Sequence, residues 1–163
     1  MATLDYSTPS LLAVATGIVG SAWASGSIAS ITLFGVPAAR AVQQSSAYIW
    51  HGMFLRGMNV MPKVAIAVGL SYGYAAYETH RVGGDWKGFL AAGGLVVSIV
   101  PFTLLFMSST NASLISVAKG SSALAQAQVS QLIEKWGYLN LARSLLPLAG
   151  AVTGLVTFLK NVS

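Results

Sequence analysis

The sequence predicts an all-α protein, an integral membrane four-helix bundle, and three observations carry that prediction. Charged residues are only 8% of the chain and the mean hydropathy is +0.68, where a soluble domain carries roughly 25% charge. The apolar residues gather into four stretches, about 11–34, 64–77, 89–107 and 141–159. The charges fall almost entirely between those stretches. Lipid is the solvent such a pattern expects, since a spanning helix needs roughly 20 mostly apolar residues.

The expected spans are about 10–36, 60–79, 87–108 and 139–160, within one transmembrane domain over 1–163. The first is rich in small residues. Gly17, Ser21 and Ser25 recur at four-residue spacing, which lets another helix approach closely. Packing within the chain is the simpler use of that face, and a homo-oligomer the alternative. Asp5 precedes this stretch, no Lys or Arg does, and the stretch is too long for a signal-peptide core. A retained helix is therefore expected. The second span needs Pro62 and Thr79 as its limits to reach spanning length. A polar turn, 79–87 with Gly83 and Gly84, leads to the third. The two longer connections, 37–62 and 108–139, are expected to hold short amphipathic or interfacial segments, such as 123–136 with Leu124, Val129, Leu132 and Ile133. Arg40, Arg56, Lys63, Lys119, Lys135 and Arg143 lie on the side of these connections, which the positive-inside rule favours as cytosolic.

The net charge of +5 comes from nine Lys and Arg placed singly, without a basic run. That is juxtamembrane charge meeting lipid rather than a nucleic-acid surface. There are no cysteines, so disulfides, thiolate catalysis and Cys-held zinc or iron–sulfur clusters are excluded.

Residues able to carry chemistry cluster at span ends. Trp50, His51, Phe54, Arg56 and Asn59 precede the second span. Met107, Thr110 and Asn111 close the third, continuing a stripe from Thr103. Trp136, Tyr138, Asn140 and Arg143 open the fourth, and Trp136, Asn140, Arg143 and Pro147 form one helical stripe. Up-down-up-down topology brings all three groups to one bundle mouth. Taken singly, a tryptophan there is an interfacial anchor and an arginine snorkels to phosphate. Their convergence is what points to a site, because ionisable groups in membrane segments are functional hypotheses by default.

Two motifs carry a family resemblance. Pro101-Phe-Thr-Leu-Leu-Phe-Met-Ser-Ser-Thr-Asn111-Ala-Ser-Leu114 and Trp136-Gly-Tyr-Leu-Asn140-Leu-Ala-Arg143 resemble the signatures of the anthrone oxygenase family. The first helix running to Pro37, and Arg56-Gly57 with Pro62, fit as well. The resemblance implies a small membrane enzyme of polyketide biosynthesis that oxidises an anthrone to an anthraquinone with molecular oxygen and no cofactor, in an intracellular membrane such as the endoplasmic reticulum. Its implied partners are a tricyclic aromatic polyketide, oxygen and lipid.

Such chemistry needs a base, donors for a developing oxyanion and a flat apolar pocket. His51, with an ordinary pKa of about 6.5, is the expected base. Arg56, Asn111, Asn140 and Arg143 are the expected donors to substrate oxygens. Trp50, Phe54, Met107, Thr110, Trp136 and Tyr138 are expected to bind the ring system. No metal site is expected. Only His51 and His80 are available, and Glu78, His80 and Asp85 share a short loop, a poor ligand set. Because haem needs a single axial histidine, a metal- or haem-dependent membrane oxidase is the competing chemistry. A non-catalytic scaffold for a biosynthetic partner is the reading from another class. Asn111-Ala-Ser and Asn161-Val-Ser match the glycosylation acceptor pattern, and both are expected to be coincidental.

Overall fold

The computed structural model describes residues 6–163. Four long helices account for nearly all of them: α1 (Thr8–Ala41), α2 (Gln43–Arg81), α3 (Lys87–Ala118) and α4 (Gln126–Val162). All four are apolar and long enough to cross a membrane. Each packs against its neighbours in chain order, and α4 closes the ring on α1. This is an all-α membrane-type four-helix bundle.

The amphipathic segments expected in the longer connections are helical, and they belong to the spans themselves. The helix of α1 runs on to Ala41, only Val42 breaks the path, and α2 is continuous α-helix from Ser46 to Arg81 with Pro62 inside. Likewise 126–136 is the first part of α4. Arg56 and Asn59 look like a break in hydropathy, but both sit on the exposed side of an unbroken helix.

Two helices contain a widened turn. In α1 it covers Ile31–Gly35, just before Pro37, and in α3 it covers Thr103–Met107, just after Pro101. Proline removes an intrahelical hydrogen bond and crowds the preceding turn. That fits the turn before Pro37 in α1, whereas the one in α3 follows its proline. Wider turns of this kind are frequent at functional sites.

The core divides into two apolar clusters along the bundle axis. The lower one centres on Tyr72, with Val68, Phe89 and Val96 around it. The upper one centres on Trp50, which stacks on Phe54 at 4.9 Å and meets Trp136 edge-on at 5.7 Å. Tyr72 is fully buried because glycines make room for its ring. A Cβ at Gly17 would stand 2.7 Å from its Cε1, and one at Gly154 2.6 Å. Its hydroxyl donates to the Gly150 carbonyl at 3.2 Å and accepts from Ser21. The small-residue face of α1, with Gly17, Ser21, Ala24 and Ser25, is therefore buried inside the bundle. Pairing two copies through that face would require opening the fold.

The turn end is held by Asn161, whose side chain accepts from the Asp85 N–H at 2.8 Å and donates to the Asp85 carbonyl at 3.1 Å. Asn161 is buried, as is Asn111, so both acceptor-pattern asparagines are used in packing.

Glycine substitutions should separate these roles. Gly17→Ala and Gly154→Ala should each destabilise by about 1–3 kcal/mol, the usual cost of overpacking. Gly26→Ala, where a Cβ meets nothing within 4 Å, should be neutral or stabilising by up to about 1 kcal/mol. Reversible unfolding in mixed micelles measures all three.

Candidate functional site

Between the two apolar clusters lies a polar layer built around Arg143. Its Nη1 donates to Thr103 Oγ1 at 2.7 Å and its Nη2 to Asn140 Oδ1 at 2.7 Å. Both acceptors are fixed by their own donations. Thr103 gives its hydroxyl proton to the Ile99 carbonyl at 2.7 Å. Asn140 donates to the Ile28 carbonyl at 2.8 Å and to Thr32 Oγ1 at 2.9 Å. Thr32 in turn donates to the Gly137 carbonyl at 3.1 Å. Thr32 and Thr103 both come from the widened turns, so each widened turn delivers one hydroxyl to this layer.

The guanidinium is thus oriented by neutral groups only. Arg143 Nε is buried and has no hydrogen-bond partner. Among the described residues the ion pairs lie elsewhere, Arg40 with Glu134 and Arg81 with Glu78. A half-buried cation without a counter-charge attracts an anion or a strongly polarised oxygen.

Arg143 lines a pocket of about 320 Å³. The back wall is Trp136 and Arg143 of α4 with Ile31 of α1. The sides are Phe54, Gly57 and Met61 of α2, and Ile99, Thr103 and Asn111 of α3. The Trp136 indole is locked by donating to Asn111 Oδ1 at 2.9 Å. The lining is overwhelmingly apolar, with one charge, which is how small-molecule sites are usually built.

Of the residues expected from sequence, Phe54, Asn111, Trp136 and Arg143 line this pocket. Trp50, Met107 and Thr110 are buried behind it, and the Trp50 Nε1–H has no partner. Asn140 is fully buried behind Arg143, its amide already engaged with the protein. It orients the arginine. His51 is half-exposed, beside Trp50 and outside the lining. Arg56 is exposed and also outside it. Tyr138 is 67% exposed and contacts Glu134. Arg56 and Tyr138 lie on other faces of the lining helices, whereas His51 is on the Phe54–Met58–Pro62 side of α2, one turn before Phe54.

The pocket also reaches deeper than a bundle mouth, to Met61, Pro62 and Ile99. The signal for that depth is a second stripe, Trp50, Phe54, Gly57 and Met61, with the same four-three-four spacing as Trp136 to Pro147. It is visible only if α2 is taken as one helix from its start. His80 stands apart from all of this, packed on Trp86 beside the Gly83 turn. Among the described residues no three His, Asp or Glu side chains come together.

Comparison with known proteins agrees in direction. A family model described as anthrone oxygenase matches residues 50–153. Anthrone oxygenase AgnL2 of Paecilomyces divaricatus is 32% identical over 151 residues, covering 87% of this chain and 92% of that protein. Monooxygenase hypC of Dothistroma septosporum is 38% identical over 117 residues, 70% of this chain and 63% of the relative. Noranthrone monooxygenase of Aspergillus flavus is 37% identical over 111 residues, 66% and 53% respectively. The chain thus spans less than two thirds of the length of each of these last two relatives. No solved structure matches the chain.

The polar layer gives a direct stability test. Asn140→Leu strands one buried Arg143 donor and removes the amide's bonds to the Ile28 carbonyl and Thr32. Leaving a buried polar group unsatisfied typically costs about 1–3 kcal/mol, and the variant should lose at least that much against wild type in micelle unfolding. Tyr138→Leu, on the exposed face, should change stability by less than about 0.5 kcal/mol.

Proposed function

Because this chain belongs to the anthrone oxygenase family, we propose that it oxidises an anthrone to an anthraquinone with molecular oxygen in the pocket between α2 and α3. The observation that carries this reading is Arg143, a cation without a counter-charge among the described residues, lining an apolar cavity.

An anthrone carries a methylene between two aryl rings, conjugated through them to a ketone. Loss of one methylene proton yields an anthrolate whose negative charge rests largely on the ketone oxygen. Arg143 meets that oxygen with a planar set of donors, and the low-dielectric surroundings strengthen the interaction. The anthrolate gives one electron to oxygen, forming superoxide and a carbon radical. Their recombination makes a carbon–oxygen bond at the former methylene, and protonation gives a hydroperoxide. Loss of the remaining proton at that carbon breaks the O–O bond, releases water and leaves the second carbonyl. One anthrone and one oxygen become one quinone and one water. The substrate anion is itself the reductant, so the sequence of steps runs without a metal or organic cofactor.

Phe54, Met61 and Trp136 suit a flat aromatic ring system. His51 receives the methylene proton by way of water, since it stands outside the lining. Arg56 stays with lipid phosphate on the outer face. Asn111 acts by locking the Trp136 wall. The protein works in an intracellular membrane.

Two substitutions test this reading. Arg143→Lys keeps a cation but loses the planar fork, and should lower turnover by about 10²–10³-fold, the cost of one preorganised oxyanion donor. His51→Ala should lower it by roughly 10²-fold, the lower end for a general base acting through water, while His80→Ala should be silent. The measurement is quinone formed per mole of folded protein in nanodiscs. Near-normal Arg143→Lys would reduce that residue to a membrane anchor. A larger effect at His80 than at His51 would reverse the assignment of the base.

A further inference from the structure

The pocket is walled at the back by α4 and α1, yet its exposed lining residues all belong to α2 and α3. Met58 and Pro62 stand on one lip, Val100, Leu104 and Ser108 on the other. Met58 is 56% exposed and Leu104 67%. The opening is therefore lateral, between two helices, and not at the end of the bundle.

Just beyond the pocket, toward the turn end, the same two helices are sealed. A Cβ at Gly69 of α2 would stand 2.9 Å from Val97 of α3, and one at Gly93 3.2 Å from Tyr72. The gap is local to the stretch where α3 widens. No Asp, Glu, Lys or Arg lies between Lys87 and Lys119, so the α3 lip is charge-free along its whole length. That helix is also the most hydropathic of the four. Leu105 and Phe106 beside the lip are exposed apolar side chains, a surface suited to acyl chains rather than water.

We propose that this lateral gap is a lipid-facing portal through which the aromatic substrate passes from the bilayer into the pocket, with Met58 and Leu104 as its lips. The proposal rests on the proposed activity for its occupant. Both lips are flexible, unbranched-at-Cβ side chains, able to part for a flat ring and close behind it. A planar polycycle dissolves in the acyl region, so the portal draws on the membrane as its reservoir.

The chain has no cysteine, so single cysteines report cleanly. Leu104→Cys and Leu105→Cys are placed in vesicles and treated with pyrene maleimide dissolved in the lipid or with a sulfonated, water-bound maleimide. Leu105 adjoins the lip but is not part of the lining. Both cysteines should react with the lipid-borne reagent and resist the charged one. Labelled Leu104→Cys should lose most of the anthrone turnover it had before labelling, and anthraquinone should slow its labelling. Labelled Leu105→Cys should keep its turnover and show no such protection. Met58→Cys repeats the assay on the opposite lip should Leu104→Cys fold poorly. Retained turnover in labelled Leu104→Cys, or equal reaction with the charged reagent, would overturn the portal. Wild-type vesicles without anthrone turnover would instead overturn the activity, while the two reagents would still report which solvent the gap faces.

Discussion

The constraint on which the rest depends is one arginine held away from any opposite charge among the described residues. Placing a guanidinium beside an apolar cavity is costly unless its donors are met, and Arg143 meets only Thr103 and Asn140. Those two acceptors are in turn fixed by Ile99, Ile28 and Thr32. The layer therefore ties all of α1, α3 and α4 to one charge. Above and below it, the Trp50 and Tyr72 clusters supply the apolar burial that holds the polar layer in place.

The two clusters do different work. The Tyr72 cluster is tight and glycine-lined, and it fixes how closely α1, α2 and α4 approach. The Trp50 cluster is aromatic and sets the position of Trp136, which forms the wall of the pocket. The pocket lies at their junction, where Met61 and Ile99 of the lower cluster face Phe54 and Trp136 of the upper one. Packing on either side thus reaches the site through residues it shares.

Much of this was legible in the sequence. Low charge and four apolar runs suffice for the fold class, because a bilayer admits few alternatives. The stripe Trp136, Asn140, Arg143 marks one helix face whatever surrounds it, and Thr103 belonged to a visible stripe on α3. What hydropathy hid was continuity. Polar residues such as Arg56 and Asn59 lower the local average even when they occupy only the outer side of an unbroken helix, so α2 read as starting near its middle. That displaced the pocket toward the bundle end and drew in His51, which shares the face but stands a turn before Phe54, and Arg56, which shares the helix but not the face. Asn140 illustrates a second limit. Its residue type suggests a substrate donor, and only the positions of Ile28 and Thr32 reveal that its donors are already taken.

The order of the helices along the chain bears on how such a protein enters a membrane. An arginine near the centre of an inserting helix costs about 2.5–3.5 kcal/mol at the translocon. Arg143 belongs to the last helix, whose other partner in the layer, Asn140, lies three residues earlier in the same helix. That acceptor travels with the charge and is present as soon as the helix forms. The second acceptor, Thr103, is on α3, which has already been synthesised. The charged helix thus meets a prepared partner on arrival, and the burden of insertion falls on the step at which it can be relieved.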